Sequence, residues 1–345
     1  MKREIYDEDH EAFRSSVREF LERSVIPNVE QHAVDKAIPR EFWLEAGKQG
    51  FLGLEIPEEY GGAGADDYRF NAVMAEELSK VNAALGSCWG IHADITAPYI
   101  VAMGTEEQKQ RWLPGVASGE ILLAIGMTEP SGGSDLAALK TTAVKDGDDW
   151  VINGSKTFIT NGYSADLVVT AVRTDPEKGA RGITLFAIPA DAPGFSRGRK
   201  LDKVGQDESD TAELFFEDVR LGEDHIIGEL GGGFIAMMQK LPRSAWAARS
   251  ATSRTPSRSC SRRSSTPRTA RPSVPRSAPS STTSSSWPSS SPPSRSPRPT
   301  STSASSPTTR ASSPRSTPPR PSGGAARSRT TCSTTASSCT AATAS

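Results

Sequence analysis

The sequence predicts an α+β protein. It has a helical part over residues 1–119, an antiparallel β part over 120–228, the opening of a second helical part over 229–242, and a disordered tail over 243–345. Three observations predict this. Apolar residues recur at helical spacing up to Gly119. Short β-branched and aromatic runs bounded by turn residues follow. Composition then breaks sharply at Pro242.

In the first part, Phe13, Val17, Phe20 and Leu21 fall on one helical face. Pro27 marks the end of that helix. Phe42 to Gly50 predicts a short second helix, followed by the Gly-rich turn region GLEIPEEYGGAGAD. Residues 66–81 and 86–103 predict two more. Thr105 is a candidate N-cap, with Gln108 at capping-box spacing.

After Gly119 the runs ILLAIGMT, TTAVKDGDDWVI, KTFIT, DLVVTAVRT, GITLFAIPA and TAELFFEDVRL predict strands. Asn153-Gly154, between two such runs, predicts a type I′ hairpin turn. Gly231-Gly232-Gly233 then leads into FIAMMQKL, the start of a new helix.

From Arg243 the chain is almost only Ser, Thr, Arg, Pro and Ala. Every Asp, Glu, Leu, Ile, Phe, Met, Tyr and Lys lies before it. Such a segment cannot bury enough surface to offset chain entropy, which predicts disorder. It holds 16 arginines, so the net charge of −1 is a cancellation between −17 before Arg243 and +16 after it. An acidic folded part argues against nucleic acid as a partner. No apolar run is long enough to span a bilayer, and MKREIYDEDHEAF has no signal-peptide core, so cytoplasm is the default compartment. Cys88 is alone in the folded part, and Cys260, Cys332 and Cys339 lack metal-ligand spacing. Neither a disulfide framework nor a metal site is expected.

Two segments carry the chemistry. Ile125-Gly126-Met127-Thr128-Glu129-Pro130-Ser131-Gly132-Gly133-Ser134-Asp135 is a Gly-rich loop, whose backbone N–H groups can approach a ring edge or phosphate without side-chain clash. Lys156-Thr157-Phe158-Ile159-Thr160-Asn161-Gly162 follows on a strand. Together with Pro57-Glu58-Glu59-Tyr60-Gly61-Gly62, the segment Gly104 to Pro114, and Thr211 to Val219, these resemble the acyl-CoA dehydrogenase family over roughly residues 5–242.

The resemblance implies an FAD enzyme that removes hydrogens from the α and β carbons of an acyl-CoA thioester. The product is a trans-2-enoyl-CoA, and electrons pass to an electron-transferring flavoprotein. It implies flavin contacts from Ile125, Met127, Thr128, Gly133, Ser134, Phe158, Ile159 and Thr160. Thr128 bonds the polar edge of the ring, Thr160 lies near its N5, and Ser134 also contacts the acyl-CoA. Phe158 stands where the family usually has Trp; it keeps an aromatic face and loses the indole N–H. Taken singly, these residues have plainer readings. Phe158 and Ile159 read as strand core, Thr128 and Ser134 as turn residues, His92 as a packed or surface histidine, and Glu58 and Glu59 as solvated.

The family continues with a four-helix bundle, which the Ser/Pro/Arg/Thr tail replaces. It completes the FAD site, the acyl pocket and the contacts of the homotetramer. The bundle is still permitted by the codons of the tail. Reading Thr269–Ser280 one base earlier permits Arg-Thr-Ala-Phe-Gly-x-Pro-(Ile/Val)-Gly-x-Phe, and Cys339–Ala344 permits Leu-His-Gly-Gly-Tyr-Gly. Both resemble family signatures. Pro242 to Trp246 permits CCG CGG AGC GCC TGG, and one inserted A turns this into Pro-Gln-Glu-Arg-Leu, the helix opening of long-chain-type members. In those members this glutamate is the catalytic base. Ser244 takes its place, so no catalytic base is expected in this frame, and the chain as written is expected to be inactive. Serine cannot substitute, because its hydroxyl is not basic near neutral pH.

Two other readings compete. One is a non-catalytic flavin-fold remnant whose cationic tail binds acidic partners. The other is a different flavoenzyme on the same scaffold, such as an acyl-CoA oxidase or nitroalkane oxidase. Acyl chain length is not legible, because the pocket floor belongs to the bundle.

Overall fold

Among the described residues, seven α-helices lead into the sheet: α1 (Glu8–Ser24), α2 (Val29–Asp35), α3 (Arg40–Lys48), α4 (Arg69–Val81), α5 (Ala83–Trp89), α6 (Ala97–Met103) and α7 (Glu106–Ser118). The structure is a computed structural model and describes residues 5–252, with side chains to Pro242. The segment expected as one helix over 86–103 is instead α5 and α6 joined by a π-helical turn, Gly90–Thr96. Helix α2 has no counterpart among the expected helices, because its 7 residues are too few to display an apolar face.

Helix α1 buries Val17, Phe20 and Leu21 as its spacing requires. The same face carries Arg14, which is also buried. Its Nη1 donates to Glu76 Oε2 at 2.9 Å and to Glu77 Oε1 at 2.7 Å, fixing α1 against α4. Thr105 caps α7, and Gln108 returns a side-chain bond to the Thr105 N–H. Gln108 Nε2 also donates to the carbonyls of Asp224 and Ile226, both at 2.8 Å, so the cap doubles as a tie to the last strand.

The strands are β1 (Leu123–Gly126), β2 (Thr142–Asp146), β3 (Asp149–Ile159), β4 (Leu167–Arg173), β5 (Ile183–Pro189), β6 (Phe195–Lys200), β7 (Ala212–Gly222) and β8 (Ile226–Ile227). They form one sheet ordered β6-β7-β3-β2-β4-β5-β8, with β1 also on β4. The pairing is antiparallel except that β1 and β2 run parallel to β4. The long connection from β1 to β4, which contains the β2–β3 hairpin, allows that parallel pairing.

The expected hairpin turn at Asn153-Gly154 is not there. Both residues lie inside β3, and the turn falls at Asp146–Asp149, where Gly147 has φ +64°. The runs on both sides of Asn153-Gly154 pair with the same partner, β7, so the strand cannot fold back. Gly154 is needed for another reason. It has φ +146°, and a Cβ there would meet the Thr141 hydroxyl at 2.6 Å. Asn153 donates to Asp218 Oδ1 and accepts from the Asp218 N–H, both at 3.0 Å.

Helix α8 (Gly233–Thr252) begins where Gly231 to Gly233 predicts. It runs ten residues past the break expected at Pro242. Ala245, Ala247, Ala248 and Arg249 are strong helix formers and favour that continuation. The rest of the tail, with Cys260, Cys332, Cys339 and both out-of-frame signatures, lies outside the described residues. A mixed core joins helices and sheet: Tyr99, Ile100, Trp112 and Met237 pack with Leu123, Val169, Leu185 and Ala187. Among the described residues, no helix is long and apolar enough to cross a membrane.

Candidate active site

Strand β3 and the loop after β1 meet at one place. The Thr157 N–H donates to the Thr128 carbonyl at 2.9 Å. One residue later, β3 bulges. Lys156 faces Leu214 and Ile159 faces Ala212, so three steps on β3 match two on β7. A bulge redirects side chains, and bulges gather beside functional sites. Here the redirected residue is Phe158, which has φ +59° and is 67% exposed. The left-handed region costs an L-residue about 1–2 kcal/mol, and a bulky residue there is a true outlier. An exposed aromatic ring at that cost is not strand core. Its neighbour Ile159 is buried in the sheet core, so only its backbone is available to a ligand.

The other site residues take these places. Thr128 and Thr160 are half-buried. Gly133 and Ser134 are exposed on the loop tip, and a Cβ at Gly133 would meet only Thr128 Cγ2, at 3.6 Å. Ile125 and Met127 are half-buried and pack against the mixed core. Ser244 lies on α8, and its side chain is outside the described part. Glu58 and Glu59 are exposed, as expected. His92 is fully buried and packed. Its Nδ1 accepts from the Leu123 N–H, and its Nε2 donates to the Val116 carbonyl.

Three residues without an assigned role hold the site together. Glu129 and Lys156 are buried and form an ion pair at 2.8 Å. Burial alone would raise the Glu129 pKa, but the Lys156 ammonium and the Lys140 and Thr141 amides hold it below the usual carboxylate range. Asn161, at φ +62°, donates to the carbonyls of Cys88 (2.9 Å) and Leu123 (3.3 Å), joining the end of β3 to α5 and β1. The available signal was a charged residue inside each of two otherwise uncharged runs, MTEP and KTFIT.

An exposed ring on a strand bonded to an open glycine loop, with one threonine at the strand's end and one on the loop, fits a flat aromatic ligand with a polar edge. These residues therefore fit a flavin. Among the described residues, no cluster of His, Cys, Asp or Glu could hold a metal ion.

Models of the acyl-CoA dehydrogenase N-terminal domain and the acyl-CoA dehydrogenase middle domain match residues 7–120 and 124–219. Through these two domains the chain belongs to the acyl-CoA dehydrogenase family. Within it, the long-chain specific acyl-CoA dehydrogenase of Sus scrofa mitochondria is 45% identical over 243 residues, covering 70% of this chain and 56% of that protein. The crystal structure of acyl-CoA dehydrogenase from Geobacillus kaustophilus aligns with TM-score 0.71 and 47% identity, over 72% of this chain and 66% of that one. A glutaryl-CoA dehydrogenase from Mycobacterium smegmatis, solved in complex with FADH2, aligns with TM-score 0.66 and 32% identity, over 72% and 62%. The chain thus spans a little over half of the Sus scrofa protein.

Proposed function

We propose that this chain carries the flavin-facing part of an acyl-CoA dehydrogenase, with its helical domain over 1–119, its β domain over 120–228 and a third domain opening at 229. The observation that carries the reading is Phe158, exposed at φ +59° on a bulge beside the 125–134 loop. Similarity to the long-chain enzyme of Sus scrofa and to a structure holding FADH2 supports it.

FAD, when bound, supplies the hydride acceptor for the substrate β carbon. Phe158 would pack its ring against the flavin, the hydroxyls of Thr128 and Thr160 would hydrogen-bond the flavin's polar atoms, and Ser134 would bond the acyl-CoA. Removal of the α-proton needs a positioned carboxylate. In the shifted frame that carboxylate is the glutamate read in place of Ser244, and serine has no basic group near neutral pH. The chain as written is therefore an inactive form of a dehydrogenase whose frame-restored product acts on acyl-CoA. Its electrons go to an electron-transferring flavoprotein, and it works in the cytoplasm.

The test begins with the DNA across codons 238–250. The frame-restored protein is then mixed with long-chain acyl-CoA and an electron acceptor, beside the chain as written. Turnover by the restored protein and none by the chain as written is the expected result. Turnover by the chain as written, or no FAD binding by either, overturns the reading. Rapid reoxidation of the reduced restored protein by oxygen points instead to an oxidase.

A further inference from the structure

We infer that the buried Lys156–Glu129 pair is a positioning device that sets where the loop bearing Thr128 and Ser134 sits against the strand bearing Phe158 and Thr160. The inference rests on the flavin reading of these segments, but concerns only this chain's own residues.

The geometry has two parts. Glu129 first closes its own loop. Its Oε2 accepts from the Lys140 N–H at 2.6 Å and its Oε1 from the Thr141 N–H at 2.9 Å, so one carboxylate gathers both ends of residues 129–141. The exposed tip, Ser131 to Asp135, lies between those ends. The closed loop is then fastened to β3. Lys156 Nζ donates to Glu129 Oε1 at 2.8 Å and reaches the Met127 carbonyl at 3.4 Å. The Thr157 N–H adds its bond to Thr128 at 2.9 Å. Lys156 comes two residues before Phe158 and four before Thr160. The pair therefore joins the two half-sites at the root of the bulge.

Stability alone does not explain a charge pair here. Lys156 is fully buried, and burial pulls its pKa down against the attraction of Glu129. A buried ion pair recovers its desolvation cost only with good geometry, and an apolar pair of similar volume is often as stable. An apolar contact, however, is non-directional and tolerates sliding. A lysine that must reach one carboxylate does not, because a shift of the loop would strand two charges. The pair exchanges stability for a fixed register between loop and strand.

Three variants of the full chain test this: Lys156→Met, Glu129→Gln, and the two combined. Each is read by thermal melting and by amide hydrogen exchange. Each single change leaves one partner unpaired and lowers the melting temperature. The combined change leaves no buried charge, and melting recovers towards the parent. Positioning predicts that exchange at residues 126–134 and 156–162 stays roughly tenfold faster in the combined variant, while β4 is unchanged. If the combined variant recovers both its melting and its exchange protection, the pair only compensates charge, and the inference falls. It falls equally if exchange never rises at those segments. FAD titration, followed by quenching of flavin fluorescence, separates the two claims. A frame-restored parent that binds no FAD counts against the flavin reading, and the exchange data still decide the coupling.

Discussion

The imidazole of His92 accepts a hydrogen bond from the backbone N–H of Leu123 at 3.1 Å, and its other nitrogen donates to the Val116 carbonyl at 3.2 Å. One neutral side chain in the π-helical turn thus holds the end of α7 and the start of β1. Protonation at Nδ1 would replace an acceptor with a donor facing an N–H. Burial first, then the charge of Arg40, lowers the His92 pKa to about 4, although the Val116 carbonyl opposes this. The sign follows from the unfolded chain, which protonates near 6.5 while the folded one resists until about 4. Stability contributed by neutral His92 is full above pH 6.5 and is lost as pH falls towards 4, a difference of roughly 3 kcal/mol. His92→Gln should flatten the dependence of urea midpoint on pH in that window. An unchanged slope counts against this account.

Acid should also loosen the seam between α1 and α4. Burial would raise the Glu77 pKa, but Arg18, Lys80 and Arg14 bring it down to about 2. This carboxylate contributes its full stability above the ordinary value of 4.5 and loses it as pH falls through about 2. Arg14→Leu removes the guanidinium shared by Glu76 and Glu77, leaving Glu76 with the Tyr6 hydroxyl and Glu77 with Arg18 and Lys80, and should cost roughly 3 kcal/mol at neutral pH. Chemical denaturation of the variant against the parent measures the loss.

Phe158→Gly separates stability from function. Glycine adopts positive φ freely, and the exposed Phe158 ring loses little packing. The variant should melt no lower than the parent and bind FAD more weakly. A clear drop in melting temperature would show that the ring is structural.

Gln108→Leu removes a capping side chain and two bonds to the Asp224 and Ile226 carbonyls. Loss of a cap and of buried acceptors' partners should together cost roughly 2–4 kcal/mol. Amide exchange should speed up first at α7 and β8.

Much of the fold was legible because it follows local periodicity. The face of α1, the Thr105 cap and the start of α8 each depend on residues a few positions apart. The turn at Asn153-Gly154 was misplaced because a local turn signal was outweighed by pairing of both flanking runs with β7, more than fifty residues away. Motif order pointed to Phe158 and Thr128, but their conformations were not legible. A left-handed phenylalanine has no local cause in KTFIT; it arises from the mismatch of β3 against β7.

The residues alone determined the helical and β parts, the capping box and the composition break at Pro242. These are properties of neighbouring residues. Only the tertiary structure decided that Lys156 meets Glu129 and that His92 bridges Val116 and Leu123. It alone decided that Phe158 points out and Ile159 in. Each depends on a partner brought close by folding, where burial turns an ordinary charge or ring nitrogen into a directional tie.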